Sequence, residues 1–281
     1  MPELPELEVT RACLRLALAG RRIIGVTLRH HAVLKTFDPP LDALKDSHIT
    51  SVDRHGKFLC VNTDRRLHLC IHLMLNGRLG ILPASTPMTR RQLLVIHLDD
   101  GTDLRLSESG TKRRVGVHLV TQPNKVERIA CLGLDPMAPE FTLRSLRMAL
   151  ARRSQTVKRF LTDQRAIGGI GNAYSDEILF EARLSPFQKT SQLKPEDAIR
   201  LFTSVKKVLH EAIVRLKALD RLPERRDRTF LKVHDQLGKP CTVCDEEVRR
   251  VSYKESTTFY CPKCQTGGRI LADRRLSRLL K

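Results

Sequence analysis

The first 120 residues combine one helical pattern with a series of short apolar runs. Residues 6–19 place Leu7, Leu14 and Leu18 near one helical face, and Gly20 follows as a plausible C-terminal cap. Between residues 20 and 120 the apolar runs shorten and alternate with turn-like pieces such as LDDGTD: RIIGVTL, KFLCVNT, LHLCIHLML, LLVIHL, DLRLS and VGVHLV. This pattern predicts an N-terminal helix followed by a β-sandwich or barrel.

The pattern changes beyond residue 120. Residues 121–142 are rich in proline and weakly periodic, which predicts a linker. Helical periodicity then returns in four segments, the longest of which has Pro195 in its first turn: TLRSLRMALA, TVKRFLTDQ, NAYSDEILFEA and PEDAIRLFTSVKKVLHEAIVRLKAL. We therefore expect four parts: a β-domain at 1–120, the linker, a helical domain at 143–229, and a cysteine-rich segment with a tail at 230–281.

The charge balance points to a polyanionic partner. The 281 residues include 50 Lys and Arg against 31 Asp and Glu, a formal net charge of +19. Nucleic acid and anionic membrane both attract such a chain. The apolar runs are too short to cross a bilayer and no signal peptide is visible, so we expect no membrane association and a cytoplasmic, nucleoid-associated protein.

Four of the eight cysteines have the spacing of a metal site. Cys241 and Cys244 form one C-x2-C pair, Cys261 and Cys264 form another, and sixteen residues separate the pairs. Four thiolates on two knuckles predict one structural zinc ion, since no coordination position is left open. Redox pairs or disulfides are the alternative, which a cytosolic location disfavours. The other four cysteines are expected to be small buried side chains: Cys13, Cys60, Cys70 and Cys131.

A glycine-rich turn lies between two predicted helices. Gly168, Gly169 and Gly171 would let the backbone approach a ligand closely, and Asn172 is a suitable N-cap for the next helix. Amides at a helix N-terminus bind anions, and Lys158 precedes them, so a DNA phosphate fits this turn. A tight helix–helix corner would use the same glycines.

These features together resemble the formamidopyrimidine-DNA glycosylase and endonuclease VIII family of base-excision repair enzymes. The resemblance covers nearly the whole chain and rests on the order and spacing of these motifs: PELPE after Met1, RHGKFL, HLMLNGRL, KRRVG, LGLDP, IGGIGNAYSDEILF, the four-cysteine finger and QTGGR. It implies an α+β multidomain fold. The expected parts are an N-terminal helix and β-sandwich, a helix–two-turn–helix domain, a zinc-finger β-hairpin and a DNA groove between domains.

The resemblance assigns catalysis to the N-terminus. Removal of Met1 would leave Pro2 with a free secondary amine, whose pKa near ~8 keeps a useful fraction unprotonated. Pro2 corresponds to the nucleophile that attacks the sugar C1′, and Glu3 to the acid that protonates the ring oxygen. Lys57 corresponds to a phosphate ligand and proton donor, and Glu6 to a residue that orients water or the helix. PELPE alone would predict only a helix N-terminus.

The resemblance also assigns DNA contacts. Aligned on His72, itself a DNA contact, Leu75 takes the position of the side chain that fills the gap left by a flipped base. An ordinary hairpin strand with Leu75 packed inside is the alternative. Arg113 would contact the orphaned base and Arg114 a phosphate, although a charged strand end explains both. Val115 replaces the family's aromatic residue, which leaves the opposite-base preference open.

Two departures from the family pattern affect specificity. Residues 216–229 are short and charged where oxidised-purine enzymes carry a longer loop, so oxidised pyrimidines and ring-opened purines are both open as substrates. Ser256 occupies the position of the family's phosphate-binding arginine. We expect Arg269, after Gly267 and Gly268, to replace it, but residues 269–281 also read as an amphipathic C-terminal helix.

The sequence therefore predicts a bifunctional DNA glycosylase and abasic-site lyase. Its expected partner is duplex DNA with damaged bases or abasic sites, and it is expected to act as a monomer. A non-catalytic, zinc-dependent protein that binds damaged DNA is the alternative, and the trio Pro2, Glu3 and Lys57 separates the two because a pure binder does not need it. An RNA-binding protein is disfavoured by 4% aromatic residues, which offer few stacking platforms.

Overall fold

The protein forms two compact units. The structure is a computed structural model that describes residues 1–110, 112–253 and 256–271. The first unit contains Met1–Cys131 and Leu216–Arg225, and the second contains Leu132–Arg215 and the described residues from Arg226 onward. The chain thus leaves the first unit within the stretch predicted as a linker and returns to it briefly before the cysteine-rich segment. Among the described residues, no helix is both long and apolar enough to cross a bilayer.

The first unit is a β-sandwich with a helix at its N-terminus. Helix α1 spans Leu4–Leu18 and short helix α2 spans Glu127–Ala130; the eight strands are β1 (Ile23–Leu28), β2 (Ile49–His55), β3 (Phe58–Thr63), β4 (His68–His72), β5 (Gly77–Pro83), β6 (Gln92–Leu98), β7 (Thr102–Glu108) and β8 (Gly116–Val120). One antiparallel sheet has the order β1-β6-β7-β5 and the other β2-β3-β4-β8. The predicted sandwich is confirmed.

The sandwich core is built from one face of each sheet. Because side chains alternate along a strand, Val61 and Leu69 of one sheet and Ile96 and Leu104 of the other share a single apolar cluster. Leu7, Leu14 and Leu18 add the predicted apolar face of α1 to this cluster. The C-cap of the helix is Ala19 rather than the predicted Gly20, which follows it with φ +79°, a conformation that glycine adopts without steric cost.

The sequence pattern missed two strands and misplaced the end of another. Strand β2 has only two strongly apolar residues, Ile49 and Val52, without regular alternation, and β5 begins with glycine, so neither forms a continuous apolar run. The predicted apolar run LHLCIHLML ends at Leu75. Strand β4 ends three residues earlier, at His72. The residues after it form a loop, and that difference determines where Leu75 lies.

The second unit is helical, with a β-hairpin near its end. Its helices are α3 (Leu143–Ala151), α4 (Val157–Thr162), α5 (Asn172–Glu181), α6 (Pro195–Lys217, whose last residues belong to the first unit) and α7 (Pro262–Thr266), and its hairpin pairs β9 (Arg249–Tyr253) with β10 (Ser256–Tyr260). The four predicted helices are all present, and α6 begins at Pro195 as expected. Phe180 of α5 packs with Phe259 and the buried Cys241 and Cys261, so the hairpin shares a core with α5.

The isolated cysteines differ from their prediction as small buried side chains. Cys60 and Cys70 are buried, but they lie directly opposite each other on β3 and β4 and form a disulfide. A separation of ten residues does not by itself specify how the two strands pair, so the sequence alone did not predict that these cysteines face each other. Cys131 is exposed and Cys13 is half-buried, which corrects the expectation that both would be buried.

Candidate active site and metal centre

The N-terminal residues are fixed at the start of α1. Glu3 is the N-cap of the helix, and both Glu3 and Glu6 are buried. The backbone N–H of Glu3 donates to Oε2 of Glu6 at 2.8 Å, and the carbonyl of Glu3 accepts from Leu7 at 3.0 Å. Half-buried Pro2 therefore precedes a residue whose backbone is held from both sides. Glu6 thus holds the backbone of Glu3 at the helix start, and its predicted role in the reaction stays a prediction.

Lys57 lies in the turn between β2 and β3. The turn has Gly56 at φ +55°, and Lys57 is buried. Arg54 donates from Nη1 to the Gly56 carbonyl at 3.2 Å and from Nε to Oε2 of Glu8 at 3.0 Å. This ion pair connects the Lys57 turn to α1.

Glu8 was not recognised as part of this region from the sequence. Burial would raise the pKa of its carboxyl, but hydrogen bonds and charges from Arg11 and Arg54 outweigh burial and hold that pKa below its usual range. Glu8 is the last residue of the motif PELPELE, about one helical turn beyond the N-cap, and this position could have indicated its role from the sequence. The carboxylate stays ionised and positions Arg54.

His72 ends β4 close to Lys57. Its ring meets the edge of Phe58 at a centroid distance of 4.7 Å. Burial, followed by the positive charges of Arg128, Lys57 and His118, lowers the pKa of His72 to about 4. The imidazole is therefore neutral at physiological pH.

Leu75 lies at the tip of the loop between β4 and β5. Its side chain is 53% exposed, which excludes the alternative that it packs inside a hairpin strand. A Cβ on Gly77 would come within 2.3 Å of the Leu73 carbonyl oxygen and 2.6 Å of Val115 Cγ2, so only glycine fits there. An exposed leucine on a tightly closed loop has the form that a base-stack wedge requires.

The loop that carries Arg113 and Arg114 is organised by a buried acid. Both carboxylate oxygens of Glu108 accept the Arg114 backbone N–H, at 2.9 and 3.0 Å. The guanidinium of Arg113 donates to the carbonyls of Glu108 and Gly110, at 3.0 and 2.9 Å. Val115 is fully buried in the sandwich core, whereas Arg114 is exposed. The structure thus engages Arg113 within its own loop and presents Arg114 to solvent.

The turn before α5 differs from its prediction. Gly171 is the N-cap of α5 and Asn172 is the first helical residue, so the expectation that Asn172 caps the helix is wrong. Its side-chain amide donates instead to the Thr257 carbonyl of β10 at 2.8 Å. The amides of Gly168 and Gly169 donate to Leu134 O and to the side chain of Gln164, so these two are not open to an anion.

Lys158 belongs to a buried polar network. The residue is 8% exposed, and its ammonium group contacts the Asp176 carboxylate, Ser175 Oγ at 3.1 Å and the Asn172 carbonyl at 3.2 Å. Nδ1 of His234 contacts the other Asp176 oxygen at 2.8 Å. The phosphate contact expected of Lys158 stays a prediction, while its internal partners are observed.

Glu177 anchors the segment that leads to the hairpin. Its carboxylate accepts the backbone N–H groups of Lys232, Val233 and His234 at 2.8 to 2.9 Å. Burial raises the pKa of this carboxyl despite these hydrogen bonds. Sequence analysis missed Glu177 and Asp176, although adjacent acids within an apolar helix are a signal for buried polar partners.

The four finger cysteines converge on one point. All four Sγ atoms lie within 4.8 Å of one another, with separations of 3.9 Å for Cys241–Cys264, 3.5 Å for Cys244–Cys261 and 3.4 Å for Cys244–Cys264. Four ligands at the Zn–S distance of about 2.3 Å would be about 3.8 Å apart at a tetrahedral centre, so the thiols fit a metal ion. The predicted ligand set is thus brought together.

The chain on either side of these thiols is preorganised. Backbone N–H groups of Val243 and Cys264 donate to Cys241 Sγ and Cys261 Sγ, both at 3.5 Å. Burial, together with neighbouring thiols, raises the pKa of Cys261 to about 11 when no cation is present. A bound cation would favour the thiolates, which is the usual coupling between metal binding and folding.

Comparison with known proteins agrees with this architecture. The family model described as the formamidopyrimidine-DNA glycosylase N-terminal domain matches residues 1–116, and the model of the H2TH domain of the same enzyme matches residues 132–220. The chain belongs to the formamidopyrimidine-DNA glycosylase family. A formamidopyrimidine-DNA glycosylase of Symbiobacterium thermophilum is 33% identical, over 94% of this chain and 89% of that protein. The formamidopyrimidine-DNA glycosylase of Geobacter sulfurreducens is also 33% identical, over 94% of this chain and 100% of that protein.

Solved structures of the family share the fold. The MutM (Fpg) protein from Thermus thermophilus is 30% identical, with a TM-score of 0.81 over 94% of this chain and 98% of that one. The Lactococcus lactis enzyme, non-covalently bound to DNA containing an abasic site, has a TM-score of 0.84 over 94% and 99% at 23% identity, which concerns the fold alone. The expected sandwich, helical domain and cysteine hairpin are therefore those of the formamidopyrimidine-DNA glycosylase family.

Arg269 lies on a segment held beside the cysteine cluster. Gly267 and Gly268 have φ of +61° and +88°, which gives the sharp reversal expected of them. Tyr260 Oη accepts the Leu271 N–H at 2.8 Å, and Arg269 is exposed. Ile270 is 64% exposed, so it does not pack inward as an amphipathic helix would require. The rest of that alternative, residues 272–281 with Arg274, lies outside the described residues.

Proposed function

We propose that this Fpg-type DNA glycosylase of base excision repair is bifunctional. It removes an oxidised or ring-opened base from duplex DNA through a Schiff base on Pro2 and then cuts the strand at the resulting site. The observation that carries the proposal is the start of α1, where a buried carboxylate, Glu3, directly follows Pro2 in a backbone fixed by Glu6.

The proposed reaction has two stages. The unprotonated amine of Pro2 forms a bond to C1′ as the bond from C1′ to the base breaks, and the base leaves with a proton. Glu3 protonates the sugar ring oxygen, so the ring opens to an iminium. This cation acidifies the C2′ proton, which the Glu3 carboxylate would accept as the bond from C3′ to the 3′ phosphate oxygen breaks. Water then hydrolyses the iminium and releases Pro2. Lys57 would hold a phosphate and supply a proton.

DNA binding would use exposed side chains of the first unit. Leu75, on its closed loop, would fill the gap left by the extruded base, and Arg114 is exposed where a phosphate can reach it. Duplex DNA with damaged bases or abasic sites is the proposed partner, in agreement with the DNA in the Lactococcus lactis complexes. We propose that the protein acts as a monomer in the cytoplasm, at the nucleoid.

One zinc ion is the proposed occupant of the cysteine cluster. The four thiols supply the soft ligands and the separations that zinc prefers, and they leave no position for substrate. The ion would fix the hairpin and the segment that carries Arg269. Arg269 would then grip a phosphate in place of the arginine absent at position 256, since a guanidinium contacts two phosphate oxygens at once.

The test is covalent trapping. With borohydride, the mature protein should become linked to a duplex containing a lesion or an abasic site, through Pro2. A variant that retains an N-terminal tag lacks the secondary amine and should neither trap nor cut, while zinc content and affinity for undamaged duplex stay near those of the parent. Trapping and cutting at the parental rate by tagged protein would exclude Pro2. Binding to damaged duplex without cleavage by untagged protein would favour a non-catalytic damage-binding protein.

A further inference from the structure

His72 carries a hydrogen bond that the reaction chemistry does not explain. His72 is 4% exposed, and its ring atom Nδ1 accepts a hydrogen bond from the backbone N–H of Met74 at 3.1 Å. Met74 has φ +51°, a left-handed conformation that non-glycine residues rarely adopt. The imidazole therefore stabilises the left-handed backbone conformation of Met74 in the loop that carries Leu75.

The loop is closed from its other side as well. Gly77 N–H donates to the Leu73 carbonyl at 2.8 Å, and a side chain at Gly77 would collide with that carbonyl. The carbonyl of Asn76 accepts the Ser109 N–H at 3.2 Å, which joins this loop to the one that carries Arg113. Leu75, between these contacts, projects to solvent. Of these three contacts between described residues, the one from His72 is made by a titratable side chain.

The contact requires a particular form of the imidazole. A ring nitrogen accepts a hydrogen bond only when it carries no proton, so the ring must be neutral with its proton on Nε2. The surroundings of the ring favour its neutral state: it is buried, Arg128 in α2, Lys57 in the β2–β3 turn and His118 on β8 disfavour a further positive charge, and Phe58 packs against it. The environment thus favours the neutral ring, and the hydrogen bond from Met74 selects its Nε2–H tautomer.

We propose that His72 is a positioning residue for the wedge: Nδ1 holds the Met74 amide and fixes the left-handed turn that presents Leu75 to the base stack. The Nε2–H of the same ring is the atom that could meet a phosphate. The two ring nitrogens then have separate tasks, one on the loop and one on DNA. This inference rests on the proposed role of Leu75.

Two substitutions separate the tasks. His72→Asn places a carboxamide oxygen near the position of Nδ1, where it can accept from Met74, but does not reach the position of Nε2. His72→Gln carries its carboxamide near Nε2 and leaves no acceptor for Met74. His118→Asn is the matched control, because it removes another partly buried histidine beside Phe58, on β8 rather than next to the loop.

The readout is the ratio of single-turnover cleavage of a paired lesion to cleavage of a ready-made abasic site. Wedge insertion matters more for the paired lesion because more unstacking is required. His72→Gln should lower this ratio by about tenfold, the effect of losing one hydrogen bond of ordinary net strength. His72→Asn should keep the ratio within about threefold while weakening binding to both substrates. Equal ratios for the two variants would overturn the proposal.

A measurement without DNA separates this inference from the proposed function. In ¹⁵N-labelled parent protein, His72 should show an unprotonated Nδ1 and a protonated Nε2, and the Met74 amide should be protected from exchange. That protection should persist in His72→Asn and be lost in His72→Gln. If the parent shows the opposite tautomer, the proposal fails even when cleavage is normal. If the NMR result holds but neither substrate is cut, the proposed function fails instead.

Discussion

Acidification should destabilise the first unit through His72 by an amount that can be calculated. The pKa of this histidine falls from 6.5 to about 4 in the folded protein, because the ring is buried and then because Arg128, Lys57 and His118 are nearby. The perturbation is therefore a drop in pH, compared between the parent and His72→Asn, whose side chain does not titrate.

The sign follows from proton binding. Between pH 6.5 and pH 4 the unfolded chain takes up a proton at His72 that the folded protein does not, so this group's contribution to stability decreases as pH falls. A difference of about 2.5 pKa units corresponds to a total loss on the order of 3 kcal/mol, essentially complete below pH 4. At pH 5.5 the loss is about 1 kcal/mol.

The assay is urea unfolding of parent and variant at pH 7, 5.5 and 4.5. The three tyrosines, Tyr174, Tyr253 and Tyr260, all belong to the second unit, so tyrosine fluorescence cannot follow the sandwich. Methyl NMR signals of the sandwich core report the first unit instead. His72→Asn should be less stable than the parent at pH 7, and the gap should narrow by about 1 kcal/mol at pH 5.5 and by more at pH 4.5.

A constant gap across this range would refute the reasoning. It would mean that the imidazole titrates alike in the folded and unfolded chains and is therefore solvated. Exposed His30 provides the control variant, His30→Asn, in the same unit. A direct NMR titration of the His72 ring, assigned by its absence in His72→Asn, gives the same quantity independently.

Four further outcomes follow from the structure. Leu75→Ala should slow cleavage of a paired lesion more than cleavage of an abasic site, and equal losses would indicate a folding defect. Lys158→Met should lower the unfolding free energy of the second unit by roughly 3 kcal/mol, since the Asp176 carboxylate loses its buried cation; unchanged urea unfolding would place the lysine's role on DNA alone. Chelation of the metal, or Cys264→Ser, should unfold the hairpin, as measured by loss of its amide protection, while the sandwich signals persist. Arg269→Ala should weaken binding to damaged duplex while zinc is retained, and parental binding would show that no substitute clamp is needed.

Local sequence determined the main helices, six of the eight strands of the sandwich and the metal ligands. The apolar face at Leu7, Leu14 and Leu18 is enough to predict α1, because helical periodicity needs only near neighbours. The two C-x2-C pairs identify the metal ligands in the same way. Each pair forms a local turn, and the fold has only to bring the two turns together. The motif order identified the family and, with it, the sandwich and helical domain.

Tertiary structure decided the environment of each side chain. Asn172 looked like a cap, yet it is the first residue of α5 and its amide contacts the distant Thr257 carbonyl. Cys60 and Cys70 face each other only because β3 and β4 pair in one register. Such outcomes depend on segments far apart in the chain, which periodicity does not encode.

The same distinction holds for charge. Lys158 looked like a free cation before a glycine turn, but folding surrounds it with Asp176 and Ser175. The DNA contact predicted for His72 stays a prediction, whereas burial and neighbouring basic groups from separate elements lower the pKa of its ring and keep it neutral. Desolvation and Coulomb interactions depend on three-dimensional distance, so the sequence specifies which groups can titrate or bind, and only the fold determines their protonation and partners.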